Sequence, residues 1–377
     1  MRISRLKKRL RGDHDFKGHT ILGSMCSEPH PIAKRTYKRF LSTNVGDPGL
    51  FPKLIKLEKE FISNLGVLLS NPNAKGNVVS GGSEANILAM WTAKNICNAG
   101  QNEIIISENC HFSFDKAASL LSLKLIKIPV DSRQRIRVDL AEKAINSNTA
   151  AIVGIAGTTG LGVCDPIEKL SEISFKNNIY LHVDAAFGGF VFPFMDNGPK
   201  FDFSLPGVKS ITIDPHKMGR AAIQSGCIIY RDENIANYVR TPVSYLSGGS
   251  TVNNMIMGTR SGASIAAAWM VYNYLGVNGY KKIVKKAMSL TWWFITEVKK
   301  IDGLCVKVEP ECNVVGVCVN DNYDIKKLIN GVRELGWAVS EWPDYMRIAI
   351  MPHVTQRALK KFLNDLKKLL LIQSLHS

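Results

Sequence analysis

A lysine and an aspartate follow two predicted strands of this 377-residue chain. Residues 210–219 read SITIDPHKMG, in which apolar and polar residues alternate as in a half-buried strand before His216 and Lys217. Residues 180–189 read YLHVDAAFGG, a second short apolar strand that ends at Asp184. One strand therefore delivers an amine that can form an imine with an aldehyde, and the other delivers a carboxylate that can pair with a cation.

A turn of small residues between a strand and a helix is a candidate anion site. Residues 77–80 are predicted to form a short strand, Gly81, Gly82 and Ser83 follow it, and residues 84–97 have the composition of a helix. Such a turn presents backbone N–H groups at a helix N-terminus, where the helix dipole favours an anion such as phosphate. Glycines also serve ordinary turns, so the spacing alone leaves that alternative open.

Strands and helices alternate along this part of the chain, which predicts an α/β fold with a mostly parallel sheet. The predicted strands are residues 77–80, 103–107, 125–129, 151–156, 179–184, 210–214 and 226–230, and the predicted helices include residues 53–69, 84–97, 114–122, 139–146 and 167–176. Ligands of such sheets lie at the carboxyl ends of the strands. His111, Thr158 and Lys217 follow strand ends, and Asp184 is the last residue of its strand, so we expect these residues to converge.

The segments outside the alternating region suggest three parts of the chain. Residues 241–260, TPVSYLSGGSTVNNMIMGTR, predict a long loop, and long loops in compact domains are often functional. Helices at residues 264–275 and 281–298 lead to a short α+β segment. We therefore expect an N-terminal arm (1–45), a large domain (46–275) and a small C-terminal domain (276–377).

The formal net charge of +16 raises the question of a polyanionic partner. The basic residues are spread from Lys7 to Lys368, and no zinc-finger or RNP-like pattern occurs. A positive field would also attract a small anionic ligand, so we expect no nucleic-acid partner.

The spacing of the cysteines and the length of the apolar runs indicate the cellular compartment in which the protein is expected. None of the eight cysteines has the C-x-x-C spacing of a zinc or redox site, which predicts reduced thiols in a cytoplasmic protein without a metal centre. The longest apolar runs are far shorter than the ~18–20 residues that span a bilayer, so we expect no membrane segment. The basic N-terminus leads into polar residues, unlike a secretory signal.

A phosphate-binding turn, a flat side chain, a buried carboxylate and a lysine at strand ends suit pyridoxal 5′-phosphate. The lysine would form a Schiff base with the aldehyde of this cofactor. The carboxylate would keep the pyridine nitrogen protonated, so that the ring accepts electrons, and the flat side chain would cover one ring face.

At these residues the chain resembles the fold-type I pyridoxal-phosphate enzymes and, among them, the group II amino acid decarboxylases. The similar motifs are SGGSEAN (80–86), CHFSFDKA (110–117), AGTTGLG (156–162), HVDAAFGG (182–189) and DPHKMG (214–219). The combination of GSMCS, TNVGDPGLF, SITIDPHKMG and RIAIMPH resembles the archaeal tyrosine/aspartate decarboxylases. The resemblance implies a mostly parallel seven-stranded sheet with helices on both faces, a small C-terminal α+β domain and a homodimer.

The resemblance also implies roles for individual residues. Lys217 would be the Schiff-base lysine, Asp184 would pair with the pyridine nitrogen, and His111 would stack on the ring. The other implied cofactor contacts are Gly82, Ser83, Thr158, Ala186 and His216. Each of these residues alone has a commoner structural explanation, such as a turn, a cap or a surface ion pair, but the family order argues against that for the set. Glu84, Asn86 and Cys110 are interpreted as structural.

Two further residues are implied to act on the substrate. Arg347, in MRIAIMPH, would bind a substrate carboxylate, and Tyr245 in the long loop would return a proton to the α-carbon. The substrate would be a small L-amino acid. L-Aspartate would give β-alanine for coenzyme A synthesis, and L-tyrosine would give tyramine for methanofuran synthesis.

One departure from the family and two alternatives qualify this interpretation. Residues 220–227 read RAAIQSGC, where the archaeal relatives have a proline-containing stretch that ends in Gly-Gly, which leaves the substrate open. A carbon–carbon lyase of the sphingosine-phosphate lyase type shares the SGG turn and the His-Lys pair. A degenerate, basic RNA-binding relative would keep the charge of +16 and form no imine.

Overall fold

The computed structural model describes residues 2–10 and 12–375, so Met1 and Arg11 of the predicted arm lie outside the described residues. In the described part of the chain the helices are α1 (Arg2–Arg9), α2 (Pro31–Arg39), α3 (Pro52–Leu68), α4 (Gly82–Ile96), α5 (Ser113–Leu121), α6 (Val138–Lys143), α7 (Ile167–Lys176), α8 (Glu233–Ala236), α9 (Gly262–Val298), α10 (Ile325–Glu334) and α11 (Gln356–Ser374). Gly276 interrupts α9 with a φ of 57°.

Three sheets contain the described strands. The largest comprises β1 (Lys75–Val79), β2 (Glu103–Ser107), β3 (Lys124–Ile128), β4 (Thr149–Ile155), β5 (Tyr180–Asp184), β6 (Val208–Ile213) and β7 (Gly226–Tyr230). The others comprise β8 (Thr241–Leu246) with β9 (Gly249–Asn253), and β10 (Leu304–Val306), β11 (Val314–Val319), β12 (Ser340–Glu341) and β13 (Met346–Ala349).

The seven-stranded sheet has the order β1-β7-β6-β5-β4-β2-β3. Neighbouring strands from β6 to β3 pair in parallel, whereas β7 is antiparallel to both β1 and β6. The predicted mostly parallel seven-stranded sheet is therefore confirmed. Its central strands β2, β4 and β5 are buried at every residue, as expected for strands covered on both faces.

Helix α4 packs on this sheet through small and apolar side chains. Leu88, Ala89 and Met90 are at most 1% exposed, and they share a core cluster with residues such as Ile106 and Val153. The helix begins directly after β1, so packing of α4 fixes where the small-residue turn between them lies. This turn is therefore held by the core on both sides.

The chain divides into two compact units, whose boundaries differ from the expected domains. One comprises Pro29–Lys285 and Pro310–Cys312, and the other comprises Met1–Glu28, Lys286–Glu309 and Asn313–Ser377. Backbone hydrogen bonds explain why the first residues join the C-terminal unit. Leu22 N–H donates to the carbonyl of Ala338 at 2.9 Å, and the Leu22 carbonyl accepts from Ala349 N–H at 2.7 Å.

The predicted long loop at residues 241–260 is in part wrong, because it contains the antiparallel hairpin β8–β9. Threonine, valine and tyrosine favour strands, and Ser247 and Gly248 provide the turn between β8 and β9.

The pairing of two cysteines also differs from the prediction of reduced thiols. Cys305 and Cys318 lie opposite each other on β10 and β11 and form a disulfide, so reduced thiols are wrong for this pair.

Among the described residues, no helix has the length and apolarity needed to cross a membrane. In the same part of the chain, no group of three or more His, Cys, Asp and Glu side chains is arranged to hold a metal ion.

Candidate active site

A cavity of about 350 Å³ lies at the carboxyl-terminal edge of the parallel strands. The chain reaches it after β1, β2, β4, β5 and β6, and on the way into β7. Its lining includes Ser80, Gly81, Gly82, Ser83, Asn86, Asn109, His111, Gly157, Thr159, Asp184, Ala186, Asp214, His216, Lys217, Ile223 and Gln224. Of the predicted cofactor residues, Gly82, Ser83, His111, Asp184, Ala186, His216 and Lys217 thus lie at one cavity.

Lys217 lies one turn beyond the end of β6. Its Nζ atom is 3.3 Å from Oδ2 of Asp214, a carboxylate whose side chain is only 2% exposed. The backbone between them forms a tight turn in which Lys217 N–H donates to the Asp214 carbonyl at 3.1 Å. Asp214 was not predicted as a site residue, although an acid directly after a buried strand is a usable signal. The pair places an ammonium group and a counter-charge together inside the cavity.

The turn from β1 into α4 has the features of an anion site. Gly81 is the N-cap of α4 and provides no side-chain cap, so the first helical N–H groups face the cavity end of the helix. A Cβ atom on Gly82 would lie 2.9 Å from Oδ2 of Asp214. A Cβ atom on Gly226, at the start of β7, would lie 2.5 Å from the Gly81 backbone. Close packing therefore requires glycine at both positions.

His216 lies beside this turn. Its Nδ1 donates to the Ser225 carbonyl at 2.5 Å, and its Cε1 would lie 3.5 Å from a Cβ atom on Gly81. Its Nε2 is 3.9 Å from Oδ2 of Asp214. Residues 220–227 therefore orient a cavity residue through the Ser225 carbonyl, and Ile223 and Gln224 of this segment line the cavity directly.

Asp184 and His111 lie on two sides of the same space. Asp184 is 6% exposed, and its Oδ1 and Oδ2 accept hydrogen bonds from Ala186 N–H at 3.1 Å and from Asn86 Nδ2 at 2.9 Å. Burial lowers the pKa of His111, and Lys217 lowers it further, while Asp184 opposes the shift. A lowered pKa favours a neutral imidazole, whose flat face can cover a planar ligand.

Thr158 does not line the cavity, although it was predicted to contact the cofactor. It is 2% exposed, and its Oγ1 accepts from Val163 N–H at 3.2 Å within the turn after β4. The neighbouring Thr159 lines the cavity instead. The motif thus identified the correct turn but not the side chain that faces the space.

Tyr245 lies on β8 and is 86% exposed. It lines a second cavity, of about 790 Å³, between the hairpin, helix α3 and residues 258–260. It does not line the cavity that holds Lys217. Arg260 and Glu58 form a buried ion pair at this second cavity, with Nη2 and Oε2 3.0 Å apart. The structure therefore does not bring Tyr245 to Lys217 within this chain.

Arg347 lies on β13 in the other compact unit. Its Nη2 donates to Ser340 Oγ at 2.8 Å and to the Gly23 carbonyl, and burial lowers the pKa of its guanidinium. These contacts fix the orientation of the side chain within its own unit. Its predicted contact with a substrate carboxylate stays a prediction.

Comparison with known proteins agrees with this geometry. The family described as "Pyridoxal-dependent decarboxylase conserved domain" matches residues 42–320. The chain belongs to this family. A probable L-aspartate decarboxylase of Pyrococcus abyssi is 43% identical, over 98% of this chain and 96% of the relative. A probable L-tyrosine/L-aspartate decarboxylase of Methanothermobacter thermautotrophicus is 44% identical, over 92% of this chain and 96% of the relative.

The solved structures agree on the fold of this decarboxylase. A sphingosine-1-phosphate lyase of Burkholderia pseudomallei has a TM-score of 0.90 and 26% identity, and covers 99% of this chain and 92% of its own. This similarity confirms the predicted fold-type I architecture. The family and the two relatives confirm the predicted class, a pyridoxal-phosphate-dependent carboxy-lyase.

The residues at the cavity of the decarboxylase fit pyridoxal 5′-phosphate. The N-terminus of α4 offers backbone donors to a phosphate, Asp184 offers a buried carboxylate, and Lys217 offers an amine. A volume of about 350 Å³ is within the usual range for a small-molecule site.

Proposed function

We propose that the decarboxylase removes the α-carboxyl group of L-aspartate and yields β-alanine and carbon dioxide. The observation that carries this proposal is that aspartate is named for both relatives, at 43% and 44% identity. The net charge of +16 would also attract a substrate with two carboxylates. L-Tyrosine, named for one of the two relatives, is the second candidate. β-Alanine or tyramine would then serve coenzyme A or methanofuran synthesis.

The residues at the cavity have separate tasks in this proposal. When bound, pyridoxal phosphate supplies a ring that accepts the electron pair of the broken bond. Lys217 would hold the cofactor covalently through Nζ, with Asp214 at 3.3 Å as its counter-charge before binding. Asp184 would hold a proton at the ring nitrogen, and the neutral His111 would cover one ring face. Gly82 and Ser83 would bind the phosphate through backbone N–H groups, with His216 beside them.

Two residues would handle the substrate. Arg347 would bind a carboxylate, because its guanidinium carries a positive charge that pairs with an anion. Tyr245 would return a proton to the α-carbon. Since Tyr245 lies at the second cavity of its own chain, we propose that it acts in the site of a second copy, in a homodimer.

The proposal is tested first with Lys217→Ala. The purified wild-type protein should gain a visible absorbance band when titrated with pyridoxal phosphate, and Lys217→Ala should lack it. Turnover should fall by at least about 10³-fold. Lys209→Ala removes a lysine near the start of β6, the strand that leads to Lys217, and it should keep both properties. A variant at Lys217 with the band and full turnover would refute the assignment.

The substrate is tested by measuring carbon dioxide release from aspartate, tyrosine and glutamate in parallel. Aspartate should give the highest kcat/KM, and the product should be an amine. Preference for tyrosine or glutamate would overturn the aspartate proposal while leaving the cofactor site intact. An aldehyde formed from a phosphorylated amino alcohol would support the lyase alternative, and a wild-type protein without the band would support a degenerate relative.

A further inference from the structure

Asn86, on the first turns of α4, uses all of its hydrogen-bonding positions. Its Nδ2 donates to Oδ2 of Asp184 at 2.9 Å and to Oγ of Ser113 at 3.0 Å. Its Oδ1 accepts from Oγ1 of Thr212 at 2.8 Å and lies 3.1 Å from Nε2 of His182. An asparagine amide has two donor hydrogens and two acceptor positions, so none remains. The orientation of the amide is thereby determined.

The orientation of Asn86 determines the protonation of His182. Because Oδ1 can only accept, a hydrogen bond from His182 to Asn86 requires the proton on Nε2, which also lies 3.3 Å from Oγ1 of Thr212. In that tautomer Nδ1 accepts from Oγ of Ser210 at 2.8 Å. Ser210 Oγ in turn accepts from the hydroxyl of Tyr180 at 2.7 Å. Every donor in the series Tyr180, Ser210, His182 and Asn86 therefore points towards Asp184. Such aligned hydrogen bonds strengthen one another and stabilise negative charge at their end.

A second arm of the network reaches His111. Nδ1 of His111 lies 3.3 Å from Ser113 N–H, which can only donate, and 2.9 Å from Ser113 Oγ. Since Oγ of Ser113 accepts from Asn86, the hydroxyl hydrogen of Ser113 is available to donate to Nδ1 of His111. One amide thus contacts the carboxylate directly and the imidazole through a single hydroxyl.

The network is shielded from water. Asn86, Ser113, His182, Ser210 and Thr212 are all 0% exposed. Because these side chains are buried, loss of one hydrogen bond leaves its partner unsatisfied, so each hydrogen bond constrains the next.

We propose that Asn86 is a positioning residue, which orients Asp184 and His111 jointly towards the cofactor ring and is itself held in one orientation by His182 and Thr212. The inference rests on the proposed role of Asp184 at the ring nitrogen. Asn86 acts through its two donors, and the reacting atoms of the substrate are bound by other residues.

The test compares pyridoxal phosphate with a carbocyclic analogue whose ring nitrogen is replaced by C–H. The wild-type protein should prefer pyridoxal phosphate, because only this ligand can pair its ring N–H with Asp184. Asn86→Asp keeps the shape of the side chain but replaces a donor with a second carboxylate beside Asp184. The two carboxylates would share a proton, and the preference should fall by at least about tenfold, the factor for one pKa unit.

Thr92→Val is the matched control for a purely structural loss. Thr92 is a fully buried residue of the same helix, and its hydroxyl contacts Leu88 and Tyr230 away from Asp184. This variant should lose stability without changing the ratio of the two affinities. If Asn86→Asp weakens both ligands by the same factor, as a general loss of stability would, the positioning role is refuted.

A milder variant, Thr212→Val, carries the test if Asn86→Asp does not fold. It removes one hydrogen bond to Oδ1 of Asn86 and should reduce the ligand preference by about two- to threefold; an unchanged preference would refute the inference. Failure of the proposed function is recognised separately, because wild-type protein would then show no preference for pyridoxal phosphate.

Discussion

His182 is a fully buried histidine two residues before Asp184. Burial lowers its pKa from 6.5 to about 4, while the nearby Asp184 opposes the shift. The folded protein therefore keeps this imidazole neutral under conditions in which the unfolded chain protonates it.

This difference predicts acid sensitivity. Below about pH 6.5 the unfolded chain binds a proton at His182 that the folded chain does not bind until about pH 4, so the free energy of unfolding should fall over this range. Between about pH 7 and pH 5 the loss should be about 2 kcal/mol. Urea unfolding at both pH values measures it. His182→Asn should show a correspondingly smaller loss between the two pH values, and equal losses would contradict the prediction.

Some site residues are predictable from local sequence and others are not. Lys217 comes shortly after a strand in which apolar and polar residues alternate, and Asp184 ends a strand of mainly apolar residues. A few neighbouring residues therefore predict that both lie at the edge of the sheet. Asn86 was interpreted as structural because its role depends on Asp184 and Thr212, which lie 98 and 126 residues further along the chain. Hydrogen bonds between residues so far apart in the chain cannot be predicted from the pattern of neighbouring residues.

Strand β7 supports the turn that begins α4. A Cβ atom on Gly226 would lie 2.5 Å from the Gly81 backbone and 2.7 Å from Oδ1 of Asp214. The prediction is that Gly226→Ala displaces the turn and weakens the affinity for pyridoxal phosphate by about tenfold or more, as measured by equilibrium titration. Gly258→Ala is the control, because a Cβ atom there has no neighbour within 4 Å. Equal affinities of the two variants would argue against a role of this contact in cofactor binding.

The strands of the large sheet agree with their predicted bounds within two residues at each end, whereas the hairpin β8–β9 was predicted as a loop. Buried strands have strong apolar patterns. The residues of the hairpin are exposed or half-buried, so its sequence shows no alternation of apolar and polar residues. Its two strands are held together mainly by backbone hydrogen bonds, which a hydropathy pattern does not reveal.

The homodimer proposal leads to a complementation test. Lys217→Ala and Tyr245→Phe should each be inactive alone. If Tyr245 acts in the partner's site, mixed dimers contain one site with both native residues, and random reassortment should restore about a quarter of wild-type activity. The mixture is assayed after unfolding and refolding together. No recovery, or a monomer by light scattering, would overturn the proposal.

The segments of each compact unit come from distant parts of the chain. The assignment of the residues before Glu28 depends on hydrogen bonds such as that from Leu22 to Ala338. Composition near the N-terminus gives no hint of such a partner.

The amide of Asn86 also has a consequence for how the protein is made. Asn86 is synthesised before all of its strand partners, which lie 96 to 126 residues later. A nascent chain that ends before β6 therefore has helix α4 and its turn but neither the fixed amide nor Lys217. Contacts over such separations form late in folding. With the role proposed for Lys217, covalent attachment of the cofactor would require a chain that has emerged from the ribosome beyond Lys217.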